Sequence, residues 1–362
     1  MSQKLVILFA SPHCVIDFTS GAALATMDTL QVLARDGFNC RAFCASKLDG
    51  DESVSFDQLV ADLQVPVQIQ ELNVDEKSVR LLSVTSGSVP VWIFRTQSGQ
   101  INLWAPHEPL AMLGAFDRIL SSVRPDVLLT YGGHPVASSM MQLARERRVP
   151  VFFALHNLAY DNVDAFKNVD HVFVPSDFSR RYYRERLGLE CHVLPNAIDW
   201  DRVGVGDWGL GVGGGTRADQ EPNSSSSPQS SSPIPSHYLT FVNPQPAKGL
   251  FVFAQIAEQI ARRRPDIPIL VVESRGQASW LEQTNLDLSW AENLHAMENT
   301  PDPRDYYRVT KLLLMPSLVP ESFGLVAAEA MINGIPVLAS NRGALPETLG
   351  ARDWGLGKSD WA

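Results

Sequence analysis

The stretch Met315–Glu347, MPSLVPESFGLVAAEAMINGIPVLASNRGALPE, decides the reading of the whole chain. It reads as a strand end, a loop, a buried helix, a turn, a strand and a second loop. Pro316 and Pro320 interrupt the chain before the helix. Ser322 is the expected N-cap, Gly334 the expected C-terminal stop, and Pro336 opens the next element. From Phe323 to Ile332 nearly every residue is apolar or small. Glu329 is the exception, and Glu321 stands at the entrance.

A carboxylate on an apolar helix is costly to bury unless it is paired or hydrogen-bonded. The two glutamates are eight positions apart, about 12 Å of rise along a helix. Between them lies a helix N-terminus, with the amides of Phe323, Gly324 and Leu325 and a positive dipole end. Such a site suits an elongated ligand carrying hydroxyls at each end and a phosphate in the middle, the shape of a nucleotide sugar. The plainer alternative is a buried salt bridge for Glu329 and a capping role for Glu321.

With P-S before it, and G-x-P-V-x-A-S and G-A-L-P-E after it, the stretch resembles the Glu-x7-Glu motif of retaining GT-B glycosyltransferases of family 4. The resemblance implies that Glu321 contacts the donor sugar, in the catalytic centre, and that Glu329 holds the ribose hydroxyls. It extends to V-P-S-x-F, L-G and V-x-P-N-x-I-D between Val174 and Asp199, a pattern that in this family closes the first domain. It implies two Rossmann-like α/β domains facing across a cleft, with the donor held mainly by the second.

Composition agrees with a globular chain. The 362 residues suffice for two domains with proper cores; 45% are hydrophobic and 19% charged. A net charge of −10 argues against a nucleic-acid partner and gives no global attraction to an anionic membrane, leaving only local peripheral contact open. Cys14, Cys40, Cys44 and Cys191 lack metal-ligand spacing and suit a reducing compartment. The start, MSQKLVILFASPHC, has an apolar run too short for a signal segment and reads as a first buried strand. No apolar run is long enough to span a bilayer. A cytoplasmic location is the expectation.

Taken in order, Lys4–Ala10 predicts a parallel strand, with a helix over about Gly21–Arg35 capped by Thr19 or Ser20 and a second strand over Asn39–Ala45. This is a βαβ start with a ligand loop at the strand's carboxyl end, but without G-x-G-x-x-G. In the family the acceptor lies near this loop. His13, Asp17 and Gly21 are therefore acceptor-side candidates, with a plain solvated loop as the alternative. Residues 46–90 are weakly patterned. VWIFRT and INLW, around Ser98-Gly99, read as a β-hairpin. Strands and helices then alternate to about residue 200, which predicts an open parallel sheet wrapped on both faces. His134 in YGGHP and His156 in ALHN fall at strand carboxyl ends. His134 is a catalytic candidate and His156 an acceptor-side one; helix-end packing and a backbone hydrogen bond are the alternatives.

Residues 203–236 are Gly-, Ser- and Pro-rich and predict a disordered linker between domains 1–200 and 237–362. In the second, Lys248-Gly249 at a helix start is placed to face a diphosphate. The family pattern is Gly-Arg-x-x-x-x-Lys-Gly; here Asn243 stands at the Arg position, and Arg275 is a replacement cation. Donor-side candidates are thus Asn243, Lys248, Arg275, Ser322, Phe323, Gly324, Leu325 and Glu329. The resemblance implies no essential metal, and no cofactor is expected.

The resemblance implies retaining transfer of a hexosyl group to an acceptor hydroxyl of a glycan, lipid or small molecule. The second domain is shorter than is usual for the family. A truncated nucleotide-sugar-binding protein with slow or no turnover is the main alternative, and an epimerase or phosphorylase of the same fold a further one.

Overall fold

The structure is a computed structural model describing residues 4–49, 55–64, 66–74, 77–206 and 237–351. The strands, in chain order, are β1 (Val6–His13), β2 (Asn39–Lys47), β3 (Gln68–Val74), β4 (Lys77–Ser86), β5 (Val89–Phe94), β6 (Val127–Thr130), β7 (Val151–Ala154), β8 (His171–Val174), β9 (His192–Val193), β10 (Tyr238–Val242), β11 (Ile269–Val272), β12 (Leu294–Met297), β13 (Thr310–Met315) and β14 (Val337–Ala339). The helices are α1 (Gly21–Arg35), α2 (Phe56–Asp62), α3 (Glu108–Val123), α4 (Pro135–Glu146), α5 (Asp177–Leu187), α6 (Trp200–Val203), α7 (Leu250–Arg263), α8 (Arg304–Tyr307), α9 (Leu325–Ile332) and α10 (Leu345–Thr348).

Among the described residues the strands form two sheets. The first, with its helices the first lobe, has the order β3-β4-β5-β2-β1-β6-β7-β8-β9; the second has β12-β11-β10-β13-β14. Apart from β4, antiparallel to both neighbours, all pairs are parallel. In the first sheet β1 is central, with Leu8 opposite both Arg41 of β2 and Leu128 of β6. The chain order reverses there, and such a reversal opens a crevice beyond the strand carboxyl ends. The second lobe repeats the scheme around β10. The buried residues of α7, Leu250, Phe253, Ala254, Ala257 and Ala261, fall at helical spacing on one face. Phe253 stacks on Phe241 of β10 with ring centroids 4.5 Å apart.

Several expectations need correcting. The hairpin around Ser98-Gly99 does not form. Val89–Phe94 instead pairs with β4 and β2, and Ile101–Leu103 is a 3-10 turn. The true hairpin turns at Gly87, where the Gln31 amide donates to Ser86 O and its Oε1 accepts from Ser88 N. Residues 46–90, weakly patterned in sequence, contain α2 and the β3–β4 pair. The linker cannot begin at 203. Val203 is fully buried among Leu270, Ala330 and Ile335 of the second lobe, and Val205 N donates to Asn333 Oδ1 at 2.9 Å. The remainder of the linker, 207–236, lies outside the described residues. All four cysteines are buried and unpaired. No helix of the described residues is long and apolar enough to cross a membrane.

Candidate functional site

A cavity of about 400 Å³ lies between the lobes, within the usual range for small-ligand sites. Its second-lobe wall begins at Lys248. The next residue, Gly249, has φ 94°, and a Cβ there would meet Pro316 O at 2.0 Å. Only glycine allows the chain to turn left-handed against that backbone. Lys248 Nζ thereby reaches both Glu321 oxygens, at 2.7 and 2.9 Å, while the Ser317 hydroxyl donates to Glu321 Oε1 at 2.7 Å. Glu321 is buried and clamped rather than open at an entrance.

Ser322 is not the N-cap. Gly324, at φ 90°, takes that place, so the helix starts at Leu325. The Ser322 hydroxyl donates instead to His156 O across the cleft, and Ser322 O accepts from the Ser176 and Ser179 hydroxyls at 2.7 and 3.1 Å. Ser322, Phe323, Gly324 and Leu325 all line the cavity. The first amides of α9, which have no intrahelical acceptors, bring a positive dipole end there. Gly334, at φ 69°, follows the helix as expected.

Glu329 is 2% exposed. Arg202 Nη2 donates to Oε1 at 2.5 Å and Tyr307 Oη to Oε2 at 2.7 Å. Burial pushes the Tyr307 hydroxyl well above its ordinary pKa, reinforced by the Glu329 charge, so it stays a donor. Asn243, at φ 62°, accepts Gly276 N on Oδ1 at 2.9 Å, which shapes the β11 loop carrying Arg275. Arg275 lines the cavity, and its Nε is buried with no hydrogen-bond partner among the described residues.

The first-lobe wall contains Gly21, Asp49 and His156. His156 Nε2 lies 3.1 Å from Thr26 Oγ1, and Nδ1 has no partner among the described residues. Burial lowers the His156 pKa to about 4, against the opposing pull of Asn196 and Asp49. Burial alone would raise the Asp49 carboxyl. Hydrogen bonds from His13, at 2.6 Å, and Ser20, with the Lys47 charge, instead hold it well below the carboxylate range.

Three candidates do not line the cavity. His13 stands behind Asp49. Asp17 is fully engaged in shaping the loop, accepting Thr19 N, Thr19 Oγ1 and Asp49 N. His134 caps α4, its Nδ1 accepting Val136 N at 3.2 Å. Sequence reasoning missed Asp49, Arg202 and Tyr307. Asp28, which anchors Arg202, carried the same signal as Glu329, a lone carboxylate in an apolar helical run.

Two parallel-sheet lobes facing a cavity, with a helix N-terminus and cations on its second wall, define the GT-B class of α/β proteins. The family model described as Glycosyltransferase Family 4 matches residues 19–202, and that described as Glycosyl transferases group 1 matches 236–356. The chain belongs to glycosyltransferase family 4.

Among curated relatives, the lipopolysaccharide 1,2-N-acetylglucosaminetransferase of Salmonella typhimurium is 25% identical over 187 residues, covering 49% of this chain and 45% of that protein. The phosphatidyl-myo-inositol mannosyltransferase of Mycobacterium tuberculosis is 27% identical over 184 residues, 48% of this chain and 41% of that protein. The matches thus span less than half the length of these relatives. Among solved structures, starch synthase IV of Arabidopsis thaliana bound to ADP and acarbose matches with TM-score 0.65 at 12% identity, over 100% of this chain and 87% of that one. An Anabaena protein in complex with UDP and glucose matches with TM-score 0.59 at 17% identity, over 95% and 82%.

Proposed function

We propose that the protein transfers a hexosyl group from a nucleotide sugar to an acceptor hydroxyl with retention of configuration. The observation that carries this reading is the second-lobe wall of the cavity. Lys248, Glu321, the first amides of α9, Arg275 and Glu329 all line it, and together they offer the charges and acceptors that a sugar, a diphosphate and a ribose call for. Lys248, Arg275 and the helix end would stabilise the leaving diphosphate. The carboxylates on the cavity wall are Asp49, Glu273, Glu321 and Glu329, and all four accept hydrogen bonds from the protein. We assign none of them as a covalent nucleophile. We therefore assign attack by the acceptor hydroxyl on the face the diphosphate leaves, its proton passing to the departing diphosphate oxygen. No metal is required in this scheme. The first-lobe wall, with Gly21 and His156, receives the acceptor, a glycan, lipid headgroup or small polyol.

Calorimetry with UDP, ADP and GDP, followed by turnover with the sugar nucleotides of the base that binds, tests the reading. One nucleoside diphosphate should bind, transfer should persist in EDTA, and NMR should show retained anomeric configuration. Nucleotide binding without transfer to any acceptor would favour a binding protein. Inversion would overturn the stereochemical assignment.

A further inference from the structure

Arg202 belongs to α6, the last element before residues 207–236, yet it reaches Glu329 in the second lobe. Its Nε and Nη2 grip both oxygens of Asp28 on α1, at 2.8 and 2.7 Å. The same Nη2 donates to Glu329 Oε1. The anchor is itself built in. Asp199 N donates to Asp28 Oδ2 at 3.0 Å, and Arg35 pairs with Asp199 and Asp201 at 2.6 Å each. The Arg202 side chain is 19% exposed and both its acid partners are almost fully buried, while Arg202 and Glu329 both line the cavity.

A carboxylate has about four lone-pair sites. Arg202 takes one on Oε1 and Tyr307 one on Oε2. The remaining acceptor capacity of Glu329 is left for a ligand in the cavity, and vicinal hydroxyls, each a donor, match it. One guanidinium between two carboxylates leaves the trio one negative charge in excess, which favours a donating diol over an anion. An unpaired carboxylate is costly to bury, and Arg202 supplies the charge that pairs with Glu329 and fixes its direction.

We infer that Arg202 is a positioning residue for nucleotide recognition: anchored on Asp28 of the first lobe, it holds Glu329 oriented to accept the ribose 2′- and 3′-hydroxyls. The inference rests on the donor reading proposed above and adds that the first lobe sets the geometry of the second lobe's ribose acceptor.

The test compares calorimetric binding of the nucleoside diphosphate chosen from UDP, ADP and GDP with that of its 2′,3′-dideoxy counterpart. The full chain is used as wild type and as Arg202→Met, Arg202→Lys and Asp28→Asn. In Arg202→Met, affinity for the ribonucleotide should fall about tenfold or more, the scale of a charged hydrogen-bonded contact. Affinity for the dideoxy nucleotide should stay within about twofold. Arg202→Lys should recover part of the loss, and Asp28→Asn should show a smaller ribose-selective loss. Equal weakening of both nucleotides would make Arg202 merely structural and overturn the inference, as would unchanged binding of both. Should Arg202→Met fail to fold, the ribose selectivity of the other two variants decides. Wild type that binds none of the three diphosphates would instead overturn the donor reading, and this inference with it.

Discussion

At the scale of single residues, the site rests on charges and polar atoms taken out of water. His156 carries a cost of that kind. Its imidazole is neutral in the native state, with a pKa lowered by burial to about 4, against about 6.5 in an unfolded chain. Between those values the unfolded chain binds more protons, so stability rises with pH there. The full contribution is present above about pH 6.5. As pH falls to about 4 it is lost by roughly 3 kcal/mol, at about 1.4 kcal/mol per unit. The melting temperature of the wild type should therefore drop more steeply across this window than that of His156→Gln. Parallel curves would refute the buried neutral histidine. Lys248, Glu321 and Glu329 were legible because each breaks a local pattern: a cation before glycine, a carboxylate after proline, a carboxylate in an apolar helix. Their partners were not. Arg202 and Glu329 are 127 positions apart, and no periodicity reports a contact of that separation. His134 and Asp17 misled for a related reason. A polar residue at a strand's carboxyl end has two uses, ligand contact and loop closure, and here the backbone amides of Val136, Thr19 and Asp49 claim their side chains.

At the scale of elements, the Glu321 loop is fixed by backbone approach. Glu321 bridges to Gly343, and Ala344 N donates to Glu321 O at 2.8 Å. Gly343 has φ 64°, and a Cβ there would stand 2.2 Å from Glu321 O. Gly343→Ala thus imposes both a left-handed strain and a collision with rigid backbone. Gly37, at φ 98°, offers open space, so Gly37→Ala imposes the strain alone. Denaturant unfolding should show both variants destabilised, Gly343→Ala by at least about 1 kcal/mol beyond Gly37→Ala. Only Gly343→Ala should lose nucleotide affinity, because only it displaces Glu321. Equal losses in the two variants would mean that the loop yields freely. Alternating elements made most strands and helices readable. The Ser98-Gly99 hairpin failed because turn chemistry was read without the competing pairing of β5 with β4 around Gly87. The Ser322 cap failed because a left-handed glycine two residues on ended the loop first.

At the scale of the molecule, the lobes are joined by the buried Val203 and by polar contacts. The element order foretold two facing lobes but not this junction, since the contacts are made by side chains with no repeat to betray them. One of them is a charged cap. Asp177 N and Phe178 N, in the first turn of α5, donate to Glu347 Oε1 and Oε2 at 2.7 and 3.0 Å. A carboxylate at a helix N-terminus is favoured by the free amides and the dipole, by roughly 0.3–2 kcal/mol. Here the carboxylate comes from the opposite lobe, so this energy favours the closed cleft. Glu347 does not line the cavity, so Glu347→Ala leaves the nucleotide's own contacts in place. Its nucleotide affinity should remain within about twofold of wild type. The closed population should fall, and small-angle scattering should report a larger radius of gyration. The proposed transfer needs both cavity walls in register, and small misplacements cost orders of magnitude in rate. Turnover by Glu347→Ala should therefore fall about tenfold or more while nucleotide binding persists. Unchanged scattering with unchanged turnover would show that the α5 cap does not govern closure.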